Sequence, residues 1–429
     1  MIPEKAKSII SSGAADVLLT DVIGVPPSDL QEYKDRLISA ISSFCSLYGE
    51  DRDISVFSVG GRSEISGNHT DHNGGRVIAS AVNLDVIAVA AKRDDGVIRV
   101  KSEGFDEDIV TPDAIFAPDK SLYFTSSALI AGIEHAYKAR GLSVGGFDAY
   151  TTSDVIKGSG LSSSAAFEVM IGKILSYFYN TNNVDTKEIA KSAQYAENVF
   201  FGKPCGLMDQ MACAAGGLIT IDFSSPASPD VRRIDFDFAK SGLVLCITNT
   251  GSSHSDLNDE YAAVPAEMKS VAAFFSKERL CEITKQDVDG AVNELRDAVG
   301  DRALMRAYHF FEENERVKKQ TEALETGDID SFLDLVSRSG KSSFCYLQNV
   351  YPPTDPAHQA TSLAILLSEM FLDGRRGAVR IQGGGFAGTI EAFVPTHDSA
   401  DYKALMEGVF GEGSCRILSV RPAGAVKII

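Results

Sequence analysis

The sequence has no cysteine pair of the kind that builds zinc sites or disulfide frameworks: Cys45, Cys205, Cys213, Cys246, Cys281, Cys345 and Cys415 stand singly, without a CxxC among them. An odd number of thiols without ligand spacing reads as reduced cysteine in a cytosolic protein. Positive charge is also short, with 41 Lys and Arg against 59 Asp and Glu, a formal net charge of −18. So acidic a surface repels phosphate backbones and anionic lipid, which argues against nucleic acid or a membrane as the main partner. A nucleotide can still bind, because backbone N–H groups and Mg²⁺ act locally. The longest apolar runs, such as 86–91 and 243–247, fall far below the ~20 residues that span a bilayer. The opening Met1-Ile2-Pro3-Glu4-Lys5 lacks an apolar h-region, so no signal peptide is expected and the location expected is cytoplasmic. Repeats, low-complexity tracts and long Gly/Ser/Pro linkers are missing too, so any two halves must pack closely.

What is present is an ordinary globular composition, 44% hydrophobic and 23% charged over 429 residues. At roughly 150 residues per domain that allows two or three domains. Leu30, Tyr33, Leu37, Ile41, Phe44 and Tyr48 recur at the steps of an amphipathic helix. A short strand over 54–59 is expected to end at Gly60-Gly61. Strands at 84–91 and 97–100 read as a hairpin turned by Asp94-Asp95-Gly96. Helices are expected near 125–139, 162–179 and 187–200, then strands at 218–223, 234–238 and 243–248. Beyond 255 the pattern is mostly helical (256–275, 301–326, 328–347, 359–372), closing with strands at 377–382 and 389–394, a helix at 399–410 and a strand at 415–421. Strands and helices without regular βαβ alternation argue an α+β fold. The texture changes at Ala214-Ala215-Gly216-Gly217, which divides the chain into 1–215 and 216–429.

Four stretches carry chemistry. In Lys157-Gly158-Ser159-Gly160-Leu161-Ser162-Ser163-Ser164-Ala165-Ala166 the glycines permit a tight turn and the serines open a helix. Unpaired N–H groups at a helix start make an anion site without basic side chains. The stretch is neither a Walker loop nor a dinucleotide fingerprint. A serine-rich N-cap is the plainer alternative. Between two glycine pairs, Arg62, Asn68, His69, Thr70, Asp71, His72 and Asn73 could line a sugar, since one carboxylate accepts from two vicinal hydroxyls. A structural loop, or a metal site from His69, Asp71 and His72, competes. The stretch 197–211 places Asp209 among apolar neighbours, where a cation such as Arg62 would keep it ionised, unless it is simply a helix N-cap. Last, Gly383-Gly384-Gly385 suggests close backbone approach to a ligand or to another segment.

In order and spacing these stretches resemble the GHMP sugar and metabolite kinases, and within them the galactokinase family. The family pattern GRxNLIGEHTDYNxG is similar to 61–74, GxGLSSSAA to 158–166, ENxFxGxxCGxMDQ to 197–210 and GGGFGG to 383–388. The resemblance implies a two-domain α+β fold, ribosomal-S5-like in its N-terminal half and ferredoxin-like in its C-terminal half, with ATP and sugar meeting in the cleft between. It implies transfer of the ATP γ-phosphoryl group to the anomeric hydroxyl of galactose or a close relative. Asp209 matches the catalytic aspartate and Arg62 the arginine beside it. Asn68, His69, Asp71 and Tyr261 match sugar-contacting positions. Gly158, Ser159, Gly160, Leu161, Ser162, Ser163 and Ser164 match the phosphate loop, and Ser163 or Ser164 would hold Mg²⁺ with Glu197. The partners implied are a small sugar and ATP, taken by a monomer or weak homo-oligomer.

Four departures from the pattern matter. Asn68 replaces a glutamate that contacts the C6 hydroxyl, His72 a tyrosine, Val264-Pro265 an arginine pair, and 337–342 lacks the histidine of an SHxS stretch. An amide in place of a carboxylate can also donate and carries no charge. A C6- or C2-modified sugar such as galacturonate or N-acetylgalactosamine is therefore an alternative substrate, and a non-catalytic sugar sensor the alternative function.

Overall fold

The computed structural model describes residues 1–112, 117–155, 160–225, 228–251 and 257–429. The apolar stripe expected from Leu30 to Tyr48 is helix α2 (Leu30–Tyr48), preceded by a shorter α1 (Pro3–Ser11). Leu37, Ile41 and Phe44 of α2 and Ile10 of α1 pack on Ile54, Val56, Ile87 and Val89. Those four belong to β1 (Ile54–Ser66) and β2 (Arg76–Lys92), which pair antiparallel. Residues of the other parity on the same strands, Phe57, Val59, Ala88 and Ala90, face the main core. Side chains alternate across a strand, so one sheet feeds two cores. Burial on both faces is why 86–91 reads as an unbroken apolar run.

The chain continues through β3 (Ile98–Ser102), β4 (Glu107–Val110), α3 (Ser126–Ala139), β5 (Phe147–Ser153), α4 (Ser163–Tyr179), α5 (Thr186–Tyr195), α6 (Met208–Ala215), β6 (Leu218–Asp222) and β7 (Asp230–Ile234). The first sheet has the order β12-β1-β2-β5-β3-β4, where β12 is Val426–Lys427. Strand β2 is long enough to serve two partners, pairing with β6 over Arg76 to Ser80 and with β5 over Val86 to Lys92. The second sheet has the order β11-β8-β10-β9, from β8 (Leu243–Asn249), β9 (Ala378–Ile381), β10 (Thr389–Pro395) and β11 (Cys415–Leu418). Between β8 and β9 run α7 (Asn258–Phe274), α8 (Lys285–Gly290), α9 (Val292–Val299), α10 (Asp301–Thr326), α11 (Ile329–Ser342) and α12 (Ala360–Leu372), and α13 (Ser399–Phe410) follows β10. The first sheet runs on past residue 215, through β6 and β7, before the second begins at Leu243.

Three local expectations are corrected. Strand β1 does not end at Gly60-Gly61 but runs to Ser66, with a register shift between Gly60 and Arg62. The glycines bring other backbone close; a Cβ on Gly60 would lie 2.7 Å from the Val82 carbonyl and one on Gly61 2.8 Å from that of Leu161. Strands β2 and β3 do not form a hairpin. Instead β5 lies between them, antiparallel to β2 and parallel to β3. The strand expected at 234–238 is β7 (Asp230–Ile234), because Phe238 leaves the sheet to pack on Phe332 and Phe393. None of the described helices is long and apolar enough to cross a membrane.

Candidate active site

Because β1 continues past its glycines, it delivers Arg62 to the start of two helices. Arg62 donates through Nε to Asp209 Oδ1 at 2.6 Å and through Nη2 to Asp209 Oδ2 at 2.9 Å, the planar two-bond pairing for which guanidinium is shaped. Its third nitrogen, Nη1, donates to the Gly160 carbonyl at 2.6 Å, and its backbone N–H to that of Leu161 at 3.1 Å. Gly160 and Ser162 both take positive φ, 70° and 55°, which folds the turn back over the strand. Ser162 Oγ also donates to Asp209 Oδ2. Asp209 stands in the first turn of α6, where the helix dipole favours an anion. Burial alone would raise its pKa, but the Arg62 charge and hydrogen bonds, with the Ser162 hydroxyl, more than offset that and hold it below the usual carboxylate range.

Beside this pair, Ser164 in the first turn of α4 points its hydroxyl at Glu197 Oε1, 3.5 Å away. Glu197 is buried and accepts from Lys203 Nζ at 3.1 Å and from Gln210 Nε2 at 2.8 Å. Glu168, one turn along α4 from Ser164, shares the same Gln210 amide at 3.1 Å. It is fully buried, its Oε1 has no hydrogen-bond partner among the described residues, and burial, reinforced by the Glu197 charge, pushes its carboxyl well up. Glu168, Lys203 and Gln210 were not among the expected site residues. For Glu168 the signal was there: a single acid on an otherwise apolar helix, four residues after Ser164. Gly158 and Ser159 lie outside the described residues; Ser163 is the first residue of α4.

A second group gathers on the other side of Asp209. Asp71 lies against Gly206, three residues before Asp209, so closely that a Cβ on Gly206 would overlap its Oδ2, and its Oδ1 accepts from the His72 backbone N–H at 2.9 Å. His69 Nε2 sits 2.9 Å from the Gly384 carbonyl. A carbonyl can only accept, so Nε2 carries the proton and Nδ1 is left as an acceptor. Nδ1 is buried without a partner among the described residues, and burial holds the ring pKa down to about 3, so the imidazole is neutral. Tyr261 Oη donates to the Gly385 carbonyl at 2.7 Å. The late glycines thus tie His69 to Tyr261 through adjacent carbonyls. Among the described residues no group of three His, Cys, Asp or Glu side chains could hold a metal ion, His69, Asp71 and His72 included.

Asn68 does not join this group. It is fully buried, donating to Glu64 Oε1 at 3.0 Å and the Gly383 carbonyl at 2.6 Å, and accepting from Asn349 Nδ2 at 2.8 Å and Ser343 Oγ at 3.2 Å. Its side chain faces protein on every side. Glu64 in turn accepts from Arg380 Nη2 at 2.8 Å. A buried histidine does stand beside Ser342, but it comes from α10: His309 Nδ1 is 2.8 Å from Ser342 Oγ, and its Nε2 is 3.0 Å from the Asn68 carbonyl.

Residues 127–217 match the family described as GHMP kinases N terminal domain, and residues 42–92 the galactokinase galactose-binding signature. A galactokinase of Streptomyces coelicolor is 32% identical over 396 residues, which span 90% of this chain and 97% of that protein. The structure of Lactococcus lactis galactokinase complexed with galactose superposes with a TM-score of 0.77 at 23% identity, over 91% of this chain and 100% of that one. Mevalonate kinase of Methanococcus jannaschii superposes with a TM-score of 0.59 at 15% identity, over 86% and 98%. At those identities the two structural likenesses speak to the fold.

Proposed function

Since the chain belongs to the galactokinase family of GHMP kinases and is an ATP-dependent sugar kinase of that type, we propose that it phosphorylates the anomeric hydroxyl of galactose or a close relative, with Asp209 and Arg62 at the reacting atoms. The observation that carries this reading is the Asp209 carboxylate, both of its oxygens held by one edge of the Arg62 guanidinium at the point where two helices begin.

In this reading the sugar hydroxyl donates to Asp209, which aligns its oxygen on the terminal phosphate. A carboxylate held below its usual range is a weak base, so it takes the proton late, once the bond to phosphorus has begun to form. That suits a loose transition state, in which positioning and charge stabilisation matter more than deprotonation. Arg62 keeps Asp209 ionised and supplies positive charge where the phosphoryl group passes. The unpaired N–H groups at the start of α4, after Gly160, Leu161 and Ser162, receive phosphate oxygens. On the sugar side, His69 Nδ1 accepts from a hydroxyl, removing its unmet hydrogen bond, and Asp71 accepts from neighbouring hydroxyls.

The residues present fit Mg²⁺. The ion takes oxygen ligands and commonly needs only one or two carboxylates beside substrate phosphates. Ser164 Oγ and Glu197 supply such oxygens, and the orphaned Glu168 Oε1 next to them marks a spot short of positive charge. We assign the ion to Ser164 and Glu197; when bound it neutralises charge on the phosphates. The two sheets would be the cores of the two domains that flank the cleft.

A panel of hexoses, hexuronates and N-acetylhexosamines scored by coupled ADP release tests the substrate, with galactose expected to lead. If no sugar stimulates ADP release, or a hexuronate leads, the galactose assignment is wrong. Ser164→Ala is expected to raise the ATP KM and leave the sugar KM near normal; the reverse pattern would put the serine turn on the wrong ligand.

A further inference from the structure

Glu391 lies in the middle of β10, fully buried and directly across the ladder from Arg380 on β9. On its other side β8 presents Ile247. Such a carboxylate is costly to bury, and the mechanism above makes no use of it. Its Oε2 accepts a close hydrogen bond from Ser63 Oγ, while Oε1 is buried with no partner among the described residues. Ser63 follows Arg62 on β1. The Ser63 oxygen also accepts from Gln382 Nε2 at 2.9 Å, and Gln382 Oε1 accepts from Thr389 Oγ1 at 2.7 Å. This last pair is the surface on which Gly160 rests; a Cβ there would overlap Thr389 Oγ1 and come within 2.9 Å of Gln382 Oε1. Gly160 is therefore gripped twice, at its carbonyl by Arg62 and at its Cα by the end of a chain that starts at Glu391.

We propose that Glu391 is a positioning residue for phosphoryl transfer: through Ser63, Gln382 and Thr389 it seats Gly160 and the helix start behind it, and so sets the affinity for ATP without touching it. The inference rests on the serine turn being the nucleotide site. The direction of each hydrogen bond is fixed only when Glu391 is ionised. It then accepts alone, Ser63 must donate to it, and the Ser63 lone pairs are left for the Gln382 amide, whose oxygen turns to Thr389. A protonated Glu391 can donate into Ser63 Oγ and compete with Gln382. Burial, with the Glu64 charge opposing the help of Arg380, Ser63 and Arg62, pushes the Glu391 carboxyl up to about 7. The charged groups facing it are thus Arg380 on β9 and Glu64 and Arg62 on β1, with Glu313 of α10 beyond Arg380.

Steady-state kinetics on the full-length enzyme with Ser63→Ala, Thr389→Val and the double variant test this. Each single variant is expected to raise the ATP KM about tenfold, the scale of one lost hydrogen bond, with the sugar KM and kcat nearly unchanged. The double variant should be no worse than either single one, because both cut the same chain. The wild-type ATP KM should fall as pH rises through about 7, and Glu391→Gln should remove that fall. ATP titrates nearby too, so the difference between the two profiles is the readout. A lowered Tm with unchanged ATP KM in Ser63→Ala and Thr389→Val, additive effects in the double variant, or parallel pH profiles would overturn the proposal. Failure of the nucleotide-site reading looks different: Ser164→Ala would then move the sugar KM.

Discussion

At the scale of single residues, Asp209 draws on Arg62, on Ser162 and on its place in the first turn of α6, all of which stabilise its charge. Asp209→Asn keeps the shape and loses the charge. It is expected to lower kcat by about 10³-fold, within the range of a lost acid–base group, with little change in Tm; near-normal turnover would remove Asp209 from the chemistry. The pairing of Arg62 with Asp209 was legible because each sits in a motif whose residue types are unusual together. Asn68 was legible only as a departure. Its contacts come from Glu64, Ser343, Asn349 and Gly383, and no spacing rule brings those together. Against the pattern the departure is an exchange. Where the motif has Asn then Glu, this chain has Glu64 then Asn68, and Asn68 Nδ2 donates to Glu64 Oε1 at 3.0 Å. Asn68→Glu alone would set two carboxylates in contact in a buried site and should cost about 3 kcal/mol of stability. Adding Glu64→Asn should recover most of it, as measured by urea unfolding; a double variant no more stable than Asn68→Glu would show that the two positions are not an exchanged pair.

Secondary elements were read well where one face alone is buried. Helix α10 falls at Asp301–Thr326, as its pattern predicts, and α2 likewise. They were misread where tertiary pairing overrides local signals. Asp94-Asp95-Gly96 has the composition of a hairpin turn, yet the neighbour of β2 is β5, since Gly146 lets the chain pass tightly beside Val97. Helix α3 carries a titratable group whose effect belongs to the element. Glu134 is buried with Lys138, 3.6 Å away, its one ion-pair partner among the described residues, and burial pushes its carboxyl up from 4.5 to about 7. A carboxyl raised on folding favours the folded state at low pH, fully below its unfolded pKa, and that contribution is lost as pH rises through about 7. The difference of 7 less 4.5, at ~1.4 kcal/mol per unit, sets an upper bound of about 3.5 kcal/mol. Glu134→Gln should therefore raise Tm at pH 8 well above its effect at pH 5, and an equal shift at both would contradict the assignment.

For the whole molecule, ligands that touch both sheets should tighten it. Sugar and MgATP at about 100 times their Kd are each expected to add ~2.7 kcal/mol to stability, visible as separate rises in Tm. Chelating the metal should abolish most of the nucleotide's rise and leave the sugar's intact; loss of both would place the metal with the sugar. The α+β class was legible in the order of strands and helices along the sequence. The reach of the first sheet was not, because β6 and β12 join it through pairings between residues far apart in the chain, with β7 added beside β6. That interleaving has a kinetic side. Strand β5 inserts between β2 and β3 although β4 and α3 separate it from them in the chain, and β12 closes on β1 from the far end of the chain. Ladders made from such distant partners form slowly. Until β5 is seated, the newly made protein carries β2 and β3 with open ladders, which leaves it most prone to self-association while it is still incomplete.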